Sequence, residues 1–275
     1  MKDLLKADFY CLSRWRTAYI MLIAAAASGI FIPMLLLGVI KAAEAMLSQA
    51  DSLNIPGMEG MYPMITGALE NLNADTVFVQ LSPLSESFGL AITAAAAFYI
   101  AQQFSGGIIR NKIIDGKKRT LIYLSLQAGA SVFSIAGMAV TLLATLAGCR
   151  LFFGEFTYDF GDIAYIFGVS AGVYLAYSGI AAAAAFITQS SVISVIISIV
   201  MPVAVYSVIS MLAGMMLSVP DSLFNILAVS PTMQSLLVGG IRTPGFLLCS
   251  IGFDVMWLAV SVLIGCTVFT RKDVK

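Results

Sequence analysis

Residues 192–217 read VISVIISIVMPVAVYSVISMLAGMML. No acid or base interrupts them, and they exceed the roughly 20 apolar residues needed to cross a hydrocarbon core about 30 Å thick. Backbone groups in lipid must be satisfied within their own segment, so such a run is a helix. Five more stretches are similarly apolar, 18–40, 88–104, 120–148, 163–187 and 246–269, and only the last, at Asp254, contains an acid or base. The second is marginal in length unless it starts near Leu84, and the third is long enough to tilt or project. Across the 275 residues, 60% are apolar and 11% charged, against about 25% charged in soluble domains. Mean hydropathy is +0.95. The expectation is one all-α integral membrane domain, residues 1–275, with six spans.

Charge orients the spans. With 1–17, 105–119, 188–191 and 270–275 on one side, that side holds twelve of the fifteen Lys and Arg residues. The positive-inside rule makes it cytoplasmic, and an even number of spans places both termini there. Only Lys41, Arg150 and Arg242 lie outside, with most of the acids. A cleaved signal peptide, with residues 24–27 as its small-residue site, is the competing reading of the first run. That run continues to Ile40, too far for the apolar part of a signal peptide.

Between the spans, residues 1–17 read as an amphipathic interfacial helix. Leu4, Leu5, Phe9, Cys11, Leu12, Trp15 and Tyr19 share one side, which Asp8 and Arg16 interrupt. The outer loop, 41–87, is broken by Pro56, Gly57, Gly60, Pro63 and Pro83, with short helices expected at 42–49 and 66–71. Met46, Met58, Met61 and Met64 are soft ligands of the kind copper takes. Among fourteen methionines, chance explains the grouping, and no metal site is expected. In the outer segment 218–245, an apolar run is split by Ser230 and Pro231 into halves too short to cross. A re-entrant hairpin fits, and such backbone is tolerated only against protein or a cavity, which makes it a candidate gate. Pro33 and Pro202 are expected to kink their spans. Gly168 and Gly172, spaced G-x-x-x-G, suit close helix packing.

The chain has no histidine, so the commonest general base and metal ligand are missing. The spans hold neither paired acids nor a metal constellation, which argues against an intramembrane enzyme. Zero net charge suggests no nucleic-acid partner. Cys11, Cys149, Cys249 and Cys266 form no C-x-x-C pair, and ordinary thiols are expected over a Cys149–Cys249 disulfide. Asp254 is the one charge well inside a span. A central carboxylate costs roughly 2.5–3.5 kcal/mol on insertion scales. It reads as a substrate contact or proton carrier, or as a hydrogen-bonded packing residue. Tyr174, Tyr177 and Tyr206 are amphipathic groups suited to a pathway wall or to helix contacts.

The most specific local feature is 105–125, SGGIIRNKIIDGKKRTLIYLS. Five bases lie between Arg110 and Arg119, and Ile109, Ile113 and Ile114 supply an apolar side. Such a segment could press into a partner's groove or lie on anionic lipid. Here the chain resembles the permease subunits of type-2 ATP-binding-cassette exporters. The matching residues are Arg110, Asn111, Lys112, Gly116, Arg119, Ile122, Tyr123, Leu124 and Ser125. Lys118 departs from the small hydroxyl residue often found at its position. Residues 4–10, LLKADFY, resemble the family's elbow helix, and 265–275 its last helix and tail.

The resemblance implies a homodimer or heterodimer of permeases in the bacterial plasma membrane. A separate cytoplasmic ATPase would carry ATP and Mg and dock on Arg110, Asn111, Lys112, Gly116 and Arg119. The chain has no G-x-x-x-x-G-K-[S/T] and no cofactor is expected in it; it is not itself expected to be an enzyme. The implied cargo is amphipathic or hydrophobic: a peptide, antibiotic or lipid-like molecule, as in antimicrobial-peptide resistance. The alternative is a secondary transporter or channel using Asp254.

Overall fold

The computed structural model of the chain describes residues 2–52, 73–154, 159–215, 228–238 and 243–272. Among them every regular element is a helix. In chain order these are α1 (Lys2–Ser13), α2 (Arg16–Ser52), α3 (Ala74–Ser105), α4 (Ile108–Ile114), α5 (Arg119–Phe153), α6 (Phe160–Thr188), α7 (Ser191–Met215), α8 (Pro231–Val238) and α9 (Pro244–Arg271). Five helices are long and apolar enough to cross a membrane. A sixth is obtained when Gly89–Ser105 and Ile108–Ile114, which meet at a 57° bend, are taken as one broken span. The fold is that of a multi-pass α-helical membrane protein.

The helices overrun the apolar stretches that define them. Residues 42–49 are not a separate short helix but the continuation of α2, and α3 starts at Ala74, within the expected loop 41–87. An Asn73–Thr76 capping box fixes that start: Asn73 Oδ1 accepts from Thr76 N at 2.9 Å, and Thr76 Oγ1 accepts from Asn73 N at 3.0 Å. Capping residues set helix ends independently of hydropathy, so composition alone puts the boundary too late. The expected helix at 66–71 and Met58, Met61 and Met64 lie outside the described residues, as do 218–227 and 239–242 of the segment 218–245. No group of three metal-ligating His, Cys, Asp or Glu side chains occurs among the described residues. All four cysteines are free thiols.

α6 is the central helix. It packs against α3, α5, α7, α8 and α9, and every residue from Ala176 to Phe186 is buried. α2 lies on α5, where glycines bring the two backbones together. A Cβ added at Gly29 would lie 2.7 Å from Ala144 Cβ, and one at Gly148 would lie 3.0 Å from the Gly29 carbonyl oxygen. Lipid tails are as apolar as leucine, so this close van der Waals fit, rather than transfer from water, holds such helices together. Gln127 of α5 donates to Ser131 Oγ at 3.2 Å, and Ser131 and Ser178 hydroxyls meet at 2.9 Å, tying α5 to α6. Ile20, Ile23, Phe31, Val192, Ile196, Val200, Leu248, Val255 and Leu263 of α2, α7 and α9 are exposed. Apolar exposure on this scale suits contact with lipid.

Candidate functional site

One end of the helix array gathers the bases. α3 stops at Ser105; Gly106 and Gly107 close it, with Gly107 at φ 69°, and α4 leaves at 57° to the end of α3. A second left-handed glycine, Gly116 at φ 75°, ends α4, its N–H donating to the Ile113 carbonyl at 3.0 Å. Glycine adopts these angles without the Cβ clash other residues meet, so Gly107 and Gly116 set both turns that aim α4. Ile109 is fully buried and seats the helix.

The basic residues of this segment divide by what they touch. Lys112 forms an ion pair with the Asp8 carboxylate of α1. The other Asp8 oxygen accepts from Ser125 Oγ of α5 at 2.7 Å, and Tyr99 of α3 donates to the Asp8 carbonyl at 3.4 Å. One aspartate thereby joins α1, α3, α4 and α5. The buried stripe of α1 is Leu4, Asp8 and Leu12, at 3–8% exposure. Asp8, which by sequence interrupts the apolar face, is its centre, whereas Cys11 and Tyr19 of the expected face are exposed.

Arg119 is turned onto the end of α9. Its guanidinium donates to the carbonyls of Phe269 (3.2 Å), Thr270 (3.3 Å) and Lys272 (2.7 Å), closing the C-terminus of α9. A cation there also complements the helix dipole. Lys272 donates to the Ile187 carbonyl at 2.7 Å, joining α9 to the end of α6. Phe186 stacks within 4.6–5.2 Å of Tyr123, Phe269 and Phe104, so an aromatic core lies beneath this end. What faces outward is Ile108, Arg110, Asn111, Ile114, Asp115, Gly116, Lys117 and Lys118, with Ile114 71% exposed.

Lys118 caps α5 without a side-chain hydrogen bond. A hydroxyl there would accept from an orphan N–H of the first turn, worth about 1 kcal/mol. Lys118→Ser is therefore expected to raise the melting temperature in detergent by a few degrees, measured by scanning fluorimetry, with Lys117→Ser as the neutral control.

A second polar locus lies inside the apolar region. Asp254 of α9 is 3% exposed. Its Oδ1 accepts from Gln234 Nε2 of α8 at 3.1 Å, and the same amide donates to the Ala228 carbonyl at 2.7 Å. Trp257, one turn further along α9, donates to the Val229 carbonyl at 2.8 Å. From α6, the Tyr177 hydroxyl meets Thr232 Oγ1 at 2.8 Å. The short segment 228–238 is thus pinned to α9 and α6 by side chains. Gly172 of α6 faces the Asp254 carboxylate so closely that an added Cβ would overlap it, whereas Gly168 of the same G-x-x-x-G faces open space. Tyr174 is fully buried, its ring lying over Gly89 of α3. Tyr206 is half-buried on α7 and takes no part in this network.

Apart from Tyr206, the residues picked from the sequence fall into two places. Lys112 and Arg119 hold the fold together at the basic end, beside exposed Arg110, Asn111 and Gly116, while Asp254 and Tyr177 hold α8, with Tyr174 beside Tyr177 and against α3. Sequence reasoning missed Gln234 and Trp257, and it did not join Asp8 to Lys112 and Ser125. A lone acid on an apolar helical face was the available signal for Asp8. Compared with known protein families and with curated proteins, the chain matches none.

Proposed function

We propose that the chain is the permease subunit of an ATP-binding-cassette exporter, driven by a separate ATPase that docks on α4. The supporting observation is the broken helix at the basic end. α4 is bent 57° from α3 and anchored by Ile109 and Lys112, and it presents Arg110, Asn111 and Ile114 outward. A short helix fixed on one side and mixed basic–apolar on the other is suited to a protein groove. In this reading α1 is the elbow helix, α4 the coupling helix, and α8 with its flanking residues the re-entrant gate. In this reading the basic end faces the cytoplasm of a bacterial cell, with both termini on that side, and the excess of Lys and Arg there supports the orientation. Two permeases form the pathway, and its cargo is amphipathic or hydrophobic, of the antimicrobial-peptide or lipid-like class.

The docking face is testable apart from the fold. Arg110→Glu combined with Ile114→Asp is expected to reduce co-purifying ATPase at least tenfold while leaving the melting temperature unchanged. Lys112 is unsuited to this test because its replacement disturbs Asp8. An undiminished ATPase in the double variant would remove α4 as the docking site.

The second reading, a secondary transporter or channel, is favoured by the unpaired Asp254 Oδ2 within an apolar helix. Such proteins use several ionisable groups near the midplane, and α9 offers one.

A further inference from the structure

Four side-chain oxygens where α8 and α9 meet α6 are buried with no hydrogen-bond partner: Asp254 Oδ2, which faces Gly172, and Ser250 Oγ, Ser230 Oγ and Gln234 Oε1. All four residues are at most 3% exposed. Buried polar atoms in folded proteins are paired in the great majority of cases, so several orphans at one place call for a ligand.

Their placement is local. Ser250 and Asp254 sit one helical turn apart on the same side of α9. The Gln234 amide nitrogen lies 3.1 Å from Asp254 Oδ1 and 3.4 Å from the Ser250 carbonyl, so its own Oε1 is at the same junction. Ser230 is one turn before Gln234, and its carbonyl accepts from the Gln234 N–H at 3.0 Å. Hydroxyls within apolar helices ordinarily bond back to a carbonyl one turn earlier, as Thr93, Thr141, Ser198 and Ser207 do here at 2.8–2.9 Å. The Ser250 hydroxyl makes no such bond, and the Ser230 hydroxyl, just before α8, has no partner either.

Charge narrows the ligand. α3, α6, α7 and α8 carry no Lys or Arg, and of the two bases of α5, Arg119 is bonded to the C-terminus of α9 and Arg150 is exposed near the opposite end of α5. The one base of α9, Arg271, stands roughly 25 Å along the helix from Asp254. Asp162, the acid of α6, is at its first turn, roughly 15 Å from Gly172. The carboxylate thus has no counter-charge among the described residues of its neighbours. A monovalent cation balances its charge and takes oxygen lone pairs from both elements. A divalent ion leaves an excess positive charge buried in an apolar setting, and a proton engages one acceptor and leaves the remaining oxygens unpaired.

We propose that Asp254, Ser250, Ser230 and Gln234 form a binding site for one dehydrated monovalent cation, sodium being the probe, which fastens segment 228–238 to α9. The site stands on these four residues and does not depend on the docking of an ATPase.

The chain has two tryptophans, Trp15 and Trp257. Trp257 bonds to the Val229 carbonyl beside the site, so Trp15→Phe leaves one local reporter. Its emission in the full-length protein in nanodiscs is titrated with sodium chloride, against choline chloride at equal ionic strength and fixed pH. A saturable, sodium-specific change is expected. Ser250→Ala and Ser230→Ala should each raise the half-saturation at least tenfold, and Asp254→Asn should abolish the change. Should Asp254→Asn fail to fold, the serine variants carry the test. An equal response to choline, a response to calcium and not to sodium, or half-saturation unmoved in both serine variants overturns the proposal.

Discussion

Lys112→Ala should lower the unfolding free energy by about 3–5 kcal/mol, the effect of leaving one charge of a buried ion pair without its partner. The side chains of Lys112 and Asp8 are 14% and 4% exposed, so water gives the remaining carboxylate little help. The Asp8 carboxylate would keep its bond from Ser125, which neutralises no charge. Asp8→Asn should show a loss of the same order, because it strands the ammonium. Replacing both, as Asp8→Asn with Lys112→Met, should restore most of the stability, since a buried pair exchanged for neutral groups of similar size is often neutral or stabilising. Chemical unfolding in detergent across this double-mutant cycle reads the coupling directly. Lys117→Ala, exposed on the same segment, should stay within about 0.5 kcal/mol. Equal, small effects at Lys112 and Lys117 would mean that the Asp8 junction does not hold the helices.

Gly172→Val should destabilise by about 1–3 kcal/mol, the usual range for overpacking a well-filled interior. Valine's extra atoms enter the space of the Asp254 carboxylate, which is itself held by Gln234. The Gln234 bond is the flexible member, so the strain should fall on α8. Proteolysis should then cut within 228–238 before it cuts α6 or α9. Gly168, whose added Cβ would meet open space, tolerates the same change with little effect. The same melting and proteolysis assays compare the two glycines, and a null result at Gly172 would place Asp254 away from α6.

The apolar runs made the helical membrane fold legible, since charge-free segments of that length leave few alternatives. The helix ends were not: Asn73 caps α3 through its side chain, and hydropathy does not register a cap. The basic segment was visible as a cluster of charge, but its division of labour was not. Whether Lys112 faces Asp8 or a partner depends on the turns set by Gly107 and Gly116, and on where α1 lies across α5. Arg119 stands next to Lys118 in sequence, yet it serves a helix whose end is 150 residues away. Asp254 was conspicuous as a lone charge. Its partner Gln234 was hidden in a short segment whose path sequence alone does not set.

The central claim is that this chain works with a separate ATPase. The direct measurement is to express the tagged protein with its neighbouring genes, purify it in mild detergent, identify what accompanies it and assay ATP hydrolysis. A stoichiometric P-loop ATPase, active in the complex, is the predicted result. A chain that purifies alone, without ATP-dependent activity, would contradict the account and shift the reading to a transporter or channel built on Asp254.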